Sequence, residues 1–549
     1  MARRRLRVLA VIAVFATACG TSATSVREPA QRVDDTAVTV TTAPSTSAAP
    51  DSGNDSAPTT SEAALTGNAA GSDIGVTRED PVAMGSLAPI GDWLVAVTGV
   101  VPDGSAIVAA GSEFNDPAPS GQQYVVIDIV ASYVGGTSGS FWIDATWSAV
   151  GESAVAYDTF DASCGSIEGD PSYFGEVWPG GTVEGRLCFA VVTTDVEDLQ
   201  LILDEGFGGE GRRFFALQEG LGTVSGIEQP ETPALNHSGP TGTRGNPVAL
   251  GTFAELGEWY VRVDAVNPDA ADVVANAGFF GEPLEPGSQY FLAEVTQAYY
   301  GDEPGASAGS VQFQLLGGSN VAIDSWNASC GFLETDVSSA GELYAGGVVT
   351  GTVCFQVPAD EVADVVLFAD AFEFSFERAF LAVNDGMGTD PRTTLPAVPD
   401  VEPGSQGTWT NPFEVDGTVD VGDWQIHVLG VERDATATVL AESDFNEPPR
   451  EGYQHVLVTL EATYDGSASG SFWSDLSWGL LGSGRVEYSE FTASCGSIPD
   501  DISQVPEVFA GGVISGTVCL TIPSAHADTL VFVLEDFVSF DDKVYVALD

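Results

Sequence analysis

Apolar and polar residues alternate along several segments of the chain, and this period of two predicts β-strands with one buried face. From Trp93 to Val97 every second residue belongs to an apolar face, and the segment beginning at Trp424 alternates in the same way. Longer alternating runs follow at residues 125–133 and 456–464. Turns rich in Gly, Pro and Asp separate these segments, and no long stretch has the helical period. The pattern predicts an all-β protein.

The alternating segments belong to an internal repeat. Residues 81–218, 247–384 and 412–549 align end to end without a gap, and each begins at a proline. Turns, alternating strands and cysteines follow in the same order in each. We therefore expect three tandem immunoglobulin-like β-sandwich domains. Residues 219–246 and 385–411, rich in Gly, Thr, Pro and Asn, are predicted to be linkers that leave the domains partly independent.

The cysteines also follow the repeat. Of the seven cysteines, six form pairs separated by 24 residues: Cys164 with Cys188, Cys330 with Cys354, and Cys495 with Cys519. We expect each pair to be a disulfide, which indicates an oxidising compartment. Cys188 points away from the apolar face of its strand, so the disulfide is expected on the outside of a sheet, contributing about 3–4 kcal/mol on the loop-entropy model.

The N-terminus has the layout of a secretory signal peptide over residues 1–18. A cluster of arginines precedes an apolar run at residues 8–15, and small residues stand directly before Cys19. Cleavage by an ordinary signal peptidase would give a secreted protein, whereas lipoprotein processing would attach a lipid to Cys19. The unpaired thiol at the expected mature N-terminus favours the lipid-anchored form on the outer face of the cell membrane.

A stalk and a strongly acidic surface complete the expected organisation. Residues 19–80 are rich in Ser, Thr, Ala and Pro without apolar periodicity, so we expect a disordered stalk. The chain has 79 Asp and Glu against 18 Lys and Arg, and Lys543 is its one lysine. Such a negative chain repels nucleic acid. The acidity reflects either a solubilising surface, which we favour, or a saline habitat or diffuse cation binding.

Two motifs resemble a known family. They are a Gly-x-x-Tyr start to a long apolar strand, at residues 121–124, and a glycine-rich turn leading into a strand, at residues 346–358. The chain resembles a family of uncharacterised domains in Gram-positive lipoproteins, related in fold to the mycobacterial immunoprotective extracellular antigen. This resemblance implies an immunoglobulin-like sandwich and no established catalytic residues. The cysteine pair departs from the family's usual pattern.

The histidines argue against an enzyme, because none recurs at equivalent positions in the repeats. His237 lies in a linker, and no phosphate-binding or zinc motif is present. We therefore expect no catalytic residues and no cofactor. His427 and His455 fall on the non-core faces of their strands, with Glu461 on the same face as His455. The default interpretation is two surface histidines, and the alternative is a metal site.

Recurrent aromatic residues supply the remaining candidates. The motif Phe-(Asn/Gly)-(Asp/Glu)-Pro at residues 114–117, 280–283 and 445–448 is interpreted as a turn, with a ligand or calcium site as the alternative. Trp93, Trp259 and Trp424 are predicted in the core. By contrast, Trp142 and Trp473 have no counterpart in the second repeat and are the first candidates for exposed binding residues.

Three functions are compatible with these patterns. The leading hypothesis is a non-enzymatic, lipid-anchored surface protein that binds an extracellular protein or glycan or mediates adhesion. A structural spacer of the cell envelope predicts no discrete pocket. A solute-binding or accessory enzyme lipoprotein predicts a deep pocket in one repeat only.

Overall fold

A computed structural model describes the chain over most of the repeated region. The described residues are 73–158, 163–206, 211–230, 240–276, 283–301, 305–325, 330–331, 333, 335–371, 377–391, 394–398, 401, 403–491, 493–537 and 543–549. They form three successive pairs of four-stranded antiparallel sheets, each pair enclosing its own hydrophobic core. The predicted all-β sandwich fold is confirmed.

The first sandwich is built from eight strands within the described range. Its strands are β1 Ala88–Ile90, β2 Trp93–Val101, β3 Gln122–Tyr133, β4 Ala145–Val150, β5 Ala156–Asp158, β6 Thr182–Val192, β7 Gln200–Glu205 and β8 Arg212–Ala216. Its helical segments are α1 Ser105–Gly111, α2 Phe141–Asp144 and the 3-10 turns Pro171–Tyr173 and Thr193–Asp198. The two sheets have the orders β1-β2-β3-β6 and β5-β4-β7-β8.

The other two sandwiches repeat this topology and add a small two-stranded sheet each, β12-β15 and β22-β25. The second contains β9 Ala254–Leu256, β10 Trp259–Asn267, α3 Ala271–Asn276, β11 Ser288–Tyr299, β12 Ala306–Ser307, β13 Val311–Leu316, β14 Ala322–Asp324, β15 Glu342–Leu343, β16 Val348–Pro358, β17 Val366–Ala371 and β18 Arg378–Leu381, with 3-10 turns Ala308–Ser310, Val337–Ser339 and Val362–Asp364. The third contains β19 Thr418–Val421, β20 Trp424–Glu432, α4 Thr436–Glu442, β21 Tyr453–Tyr464, β22 Ser469–Gly470, α5 Phe472–Asp475, β23 Leu476–Leu481, β24 Glu487–Ser489, β25 Val508–Phe509, β26 Val513–Pro523, β27 Val531–Asp536 and β28 Lys543–Ala547, with 3-10 turns Ile502–Gln504 and Ser524–His526. No helix among the described residues is long and apolar enough to cross a bilayer.

The alternating residues of the central strands point into the cores as predicted. Trp93, Trp259 and Trp424 are at most 1% exposed. Each pairs across the ladder with a tyrosine of the next strand, and the rings of Trp93 and Tyr133 lie 4.9 Å apart. Tilted aromatic pairs of this kind add stability beyond the burial of their area.

The long strand β3 is buried on both of its faces. Its inner face lines the sandwich core, while its outer face is covered by a second cluster that contains Val108 of α1 together with Cys164 and Cys188. The long strands of the other two repeats carry equivalent outer clusters. Each sandwich therefore has a main core between its sheets and a smaller one outside the first sheet.

The predicted disulfides are present in the structure, each in the outer cluster of its repeat. They join Cys164 to Cys188, Cys330 to Cys354, and Cys495 to Cys519. In the second repeat Cys354 lies on β16 and is 7% exposed, and it packs in one cluster with Val274 of α3 and Leu292 of β11. Each disulfide therefore fastens a loop over the sheet and does not join the two sheets.

The ordered repeats extend beyond the boundaries expected from the sequence. In the first repeat Phe214 donates its backbone N–H to Gly75 at 2.6 Å, and Thr223 pairs with Val82. Residues 73–80 therefore belong to the first sandwich and not to the stalk. The start of the linker at residues 219–230 likewise runs along the first sandwich, because Gln229 donates to Thr182 at 3.0 Å. Strand β8 lies at the edge of its sheet, and Val82 pairs with Phe215 on its open side.

The repeats are docked on one another, which corrects the expectation of partly independent domains. An antiparallel bridge joins Val177 to Val321 between the first and second sandwiches, and another joins Leu343 to Val486 between the second and third. Linker composition did not reveal these contacts because they are made by the folded sandwiches themselves.

Candidate binding site

Helix α2 buries one aromatic side chain and exposes the next. Phe141 is fully buried and packs on Trp93 with ring centroids 5.2 Å apart, whereas Trp142 is 50% exposed. Asp144 ends the helix, and its Oδ2 accepts hydrogen bonds from Trp93 Nε1 at 3.1 Å and from the backbone N–H of Ser140 at 3.0 Å. The carboxylate thus ties the turn to the core tryptophan and holds Trp142 at the surface.

The same arrangement recurs in the third sandwich but not in the second. Trp473 is 64% exposed, and Asp475 Oδ2 accepts from Trp424 Nε1 at 3.1 Å. In the second repeat Ala308 and Ser310 stand at the two equivalent positions, and Ala308 is buried. The exposed tryptophan and its supporting carboxylate therefore occur together in two repeats and are replaced together in the other.

A cavity of about 190 Å³ lies beside Trp142. Its walls are the rings of Trp142 and Trp147, the disulfide loop over residues 163–172, and part of β6 from Arg186 to Cys188. The two indole rings meet edge to face with centroids 5.7 Å apart. The cavity is smaller than the sites of about 300–1,000 Å³ that enclose drug-sized ligands. It suits contact with one side of an extended ligand.

Polar groups stand at the rim of this cavity. Arg186 Nε lies 3.2 Å from Asp128 Oδ1, and its Nη1 lies 3.7 Å from Glu168 Oε2. The guanidinium has five N–H donors and its side chain is 37% exposed, so these two carboxylates use only part of its hydrogen-bonding capacity. Asp170 accepts from Ser172 at 2.8 Å through the backbone N–H. Donors and acceptors therefore surround an aromatic wall.

The rim of the third sandwich differs in charge. Asp501 accepts from the backbone N–H of Ser503 at 2.9 Å, as Asp170 does from Ser172 in the first repeat. Thr517 replaces Arg186, and its hydroxyl donates to the carbonyl of Pro499. The two sites thus share the exposed ring and the capped turn, whereas the guanidinium belongs to the first repeat.

The recurrent phenylalanine motif forms the predicted turn. Asn115 Nδ2 donates to the carbonyls of Val108 at 2.7 Å and Ser166 at 2.6 Å, and its Oδ1 accepts from Ser166 N–H at 3.0 Å. Asn446 makes the equivalent bonds in the third repeat. These bonds tie the end of the helix to the disulfide loop, and they leave Phe114 87% exposed.

The structure contradicts a metal site shared by His427 and His455. Strands β20 and β21 are neighbours, but the residue opposite His427 is Glu461. Residues 455 and 461 lie on one strand, about 20 Å apart at about 3.3 Å per residue. No single ion can bridge that distance, so the shared face did not imply proximity.

His455 is also not a surface residue. It is 3% exposed on the outer face of β21, where Nδ1 lies 2.8 Å from Thr521 Oγ1. Burial lowers the pKa of His455 and favours its neutral form. The ring lies close to the sulfur atoms of Cys495 and Cys519. A cysteine binds a metal ion through its thiolate. Both of these sulfurs are joined in a disulfide, so neither is available as a ligand.

Sequence reasoning found the exposed tryptophans but missed the groups that support them. Asp144 and Asp475 follow the same internal pattern as the tryptophans, since Ser310 replaces them in the second repeat. That pattern was a usable signal. Arg186 had none, because its position beside the disulfide loop depends on the pairing of β3 with β6. Cys19, His237 and Phe280 lie outside the described residues.

Comparisons with known proteins find similar solved structures but no matching family. No family description and no curated protein matches the chain. Among solved structures, an uncharacterized β-sandwich protein from Clostridium difficile is 9% identical and covers 25% of this chain and 95% of its own, with a TM-score of 0.17. A conserved hypothetical protein from Bacillus anthracis is 15% identical, covering 24% and 94% with the same TM-score. The yjhA protein from Bacillus subtilis is 15% identical, covering 25% and 99%, again at 0.17.

These scores carry no argument about kinship or activity. Each match spans roughly one repeat of the chain, and none of the three names states a ligand or a reaction. The structures named here also supply no link to lipoproteins or to the mycobacterial antigen. The chain is a β-sandwich protein whose structural neighbours are uncharacterised.

Proposed function

We propose that the chain is a non-enzymatic, extracytoplasmic surface protein that binds an extracellular polysaccharide through Trp142 and Trp473. The observation that carries this proposal is the pair of exposed tryptophans at equivalent positions, each held by a carboxylate that also fixes a core tryptophan. Large exposed aromatic side chains are unfavourable in water and are enriched where proteins bind partners.

The chemistry beside Trp142 suits a neutral sugar chain. An indole ring offers a flat apolar face to the C–H face of a sugar ring, and Arg186 and Asp170 stand at the rim to meet hydroxyl groups. The chain has 79 acidic and only 18 basic residues, and this negative charge disfavours the binding of anionic polymers. Two such sites on one chain would let a repeating polymer bind at both, which raises the overall affinity.

Replacing either tryptophan tests this binding directly. We expect Trp142→Ala and Trp473→Ala each to weaken binding of neutral cell-wall polysaccharide about 10- to 30-fold, because a buried aromatic contact contributes about 1.4–2 kcal/mol. Binding would be measured by isothermal titration with a panel of neutral oligosaccharides and by co-sedimentation with the insoluble polymer. Leu429→Ala, which removes another exposed apolar side chain, is the matched control. Wild-type protein that binds no neutral polysaccharide, or tryptophan variants that bind as wild type, would reject the proposal.

The proposal includes a lipid anchor on Cys19. The other cysteines of the chain form disulfides in the structure, which is consistent with an extracellular location. Cys19 is the cysteine left over, and it follows a signal-like segment. The resemblance to lipoprotein domains gives further support. A secreted form cleaved by ordinary signal peptidase is the alternative.

Intact mass spectrometry of the membrane fraction tests the anchor. We expect the wild-type mass to exceed that of the processed polypeptide by a diacylglyceryl group and its acyl chains. The Cys19→Ala variant should lose both this mass and the membrane association, since no thiol remains to carry the lipid. An unlipidated wild-type chain found only in the medium would support the secreted alternative.

The docking of the repeats favours a second candidate function, a rigid spacer in the cell envelope. Bridges and ion pairs between successive sandwiches hold them in series. This function requires no ligand, and it predicts that Trp142→Ala and Trp473→Ala leave the properties of the protein unchanged.

A further inference from the structure

Each interface between neighbouring sandwiches joins a short segment of one repeat, called here the donor segment, to a surface of the next repeat, called here the acceptor face. The acceptor face contains Val321, Arg378 and Phe380 at the first interface and Val486, Lys543 and Tyr545 at the second. The donor segments occupy equivalent positions in the three repeats, at residues 176–178, 342–344 and 507–509. At the first interface Val177 forms an antiparallel bridge with Val321, and at the second Leu343 forms one with Val486. Val177 and Leu343 are equivalent positions of the repeat, and so are Val321 and Val486. The two interfaces are therefore the same head-to-tail contact made twice.

The aromatic contacts repeat in the same way. Trp178 packs against Phe380 at 6.3 Å between ring centroids, with the planes nearly perpendicular. Tyr344 packs against Tyr545 at 6.1 Å, also nearly perpendicular. Trp178 and Tyr344 are equivalent donor residues, and Phe380 and Tyr545 are equivalent acceptor residues. The two interfaces therefore have the same ring arrangement although the aromatic residue types differ.

An ion pair accompanies each contact. Arg378 Nη2 lies 2.7 Å from Glu176 Oε2 at the first interface. Lys543 Nζ lies 2.5 Å from Glu342 Oε2 at the second. The two cations occupy equivalent positions, as do the two glutamates. The one lysine of the chain therefore stands where the preceding interface uses an arginine.

The donor segment of the third repeat is fully formed but exposed. Phe509, at the position of Trp178 and Tyr344, is 65% exposed. Glu507 Oε1 accepts from Ser469 Oγ at 2.6 Å, just as Glu176 Oε1 accepts from Ser138 Oγ at 2.5 Å. The carboxylate is thus held in the orientation in which its counterpart receives a cation.

The acceptor face of the first repeat is equally well formed and exposed. Arg212 binds Asp204 with Nε and Nη2 at 2.6 and 2.8 Å, and Arg378 binds Asp370 with the same atoms at 2.6 and 2.7 Å. The Arg212 side chain is 56% exposed against 26% for Arg378. Val155, at the position of Val321 and Val486, is 62% exposed.

The backbone of this acceptor face is also prebuilt. Its turn contains a non-glycine residue with positive φ in every repeat, at 55° for Ala154, 62° for Asn320 and 58° for Arg485. Such a conformation is uncommon for Ala and Arg, whereas Asn adopts it more readily. The first repeat keeps it although no segment within the described residues docks there.

We propose that this protein assembles head to tail, with the donor segment of the third repeat docking on the acceptor face of the first repeat of a second copy. The occupant follows from continuity with an interface that the chain already makes twice, and from the opposite charges of Glu507 and Arg212. A heterologous contact of this kind leaves one donor and one acceptor open in every assembly that does not close, so it produces rings or filaments.

Net charge and affinity set the conditions for the test. The formal charge of −61 makes copies repel one another, and about 0.15 M salt screens this repulsion beyond about 8 Å. Within the chain the linkers supply effective concentrations in the millimolar range, so each interface need only be weak. Self-association is therefore expected to appear between about 10 µM and about 1 mM.

Sedimentation velocity of the full chain at about 0.15 M salt tests the proposal. Wild-type protein should shift to heavier species as its concentration rises. Phe509→Asp disables the donor and Arg212→Glu disables the acceptor, so each variant alone should remain monomeric. A mixture of the two should form dimers and stop there, because only one competent donor and one competent acceptor remain. Phe445 is 95% exposed and belongs to neither the donor segment nor the acceptor face, so Phe445→Asp should assemble as wild type.

Three results would overturn the proposal. They are wild-type protein that stays monomeric at about 1 mM, association that survives both Phe509→Asp and Arg212→Glu, and a mixture that stays monomeric although wild type assembles. Circular dichroism of each variant confirms that it folds, which both surface positions should permit.

Discussion

Replacing Lys543 by methionine is expected to lower the free energy of unfolding of the third sandwich by about 3–5 kcal/mol. Lys543 Nζ lies 3.0 Å from Glu487 Oε2, and Glu487 is 7% exposed. Tyr344 of the preceding repeat donates to the same carboxylate oxygen at 2.6 Å. Without the lysine, a buried carboxylate at the interface loses its counter-charge. Urea unfolding followed by tryptophan fluorescence measures the loss.

Two control variants separate charge from size. Lys543→Arg should keep most of the stability, because Arg378 occupies the equivalent position at the other interface. The double variant Lys543→Met with Glu487→Gln should recover most of the loss, since it leaves no unpaired charge. A single Lys543→Met variant as stable as wild type would mean that the ion pair contributes nothing net.

The loss from Lys543→Met should depend on pH. Burial raises the pKa of Glu487, and Lys543 holds it down, so removing the lysine raises that pKa further. A carboxyl whose pKa is higher folded than unfolded stabilises the fold below its unfolded pKa and loses this contribution as pH rises through the folded value. The deficit relative to wild type should therefore be small near about pH 4 and largest at neutral pH and above.

Replacing Trp424 by alanine is expected to cost about 3–5 kcal/mol in the same unfolding measurement. The indole is 1% exposed and contacts Tyr464 at 5.0 Å and Phe472 at 5.9 Å between ring centroids. Its Nε1 also supports Asp475, and so the turn that carries Trp473. Lost packing leaves a cavity, and the exposed tryptophan loses its anchor. A loss below about 1 kcal/mol would show that the third core does not depend on this ring.

A pair of phenylalanine variants isolates the hydrogen bond. Trp259 is equivalent to Trp424, but its buried Nε1 has no acceptor among the described residues, so Trp259→Phe is expected to remove no hydrogen bond. Trp424→Phe removes the bond to Asp475 as well as part of the ring. It should therefore cost about 1–2 kcal/mol more than Trp259→Phe. Equal losses would assign the whole effect to packing.

Patterns in the sequence were enough to predict the all-β fold, the core tryptophans and the disulfide partners of the described repeats. Alternation of apolar residues encodes which face of a strand is buried, and that depends only on neighbouring positions along the chain. The repeat then identified the cysteine pairs and singled out Trp142 and Trp473, because a residue present in two repeats and replaced in the other is visible without coordinates.

Contacts between these residues depend on how the strands and the sandwiches pack in three dimensions. The period of two predicted that His427 and His455 lie on outer faces, but it does not contain the register of β20 against β21. That register places His427 opposite Glu461 and away from His455. The cavity beside Arg186 and the contact of Trp178 with Phe380 join residues distant in sequence. Exposure of Phe509 likewise depends on what docks against it. Local periodicity records burial, whereas strand register and the docking of whole sandwiches depend on long-range packing that no short window of sequence contains.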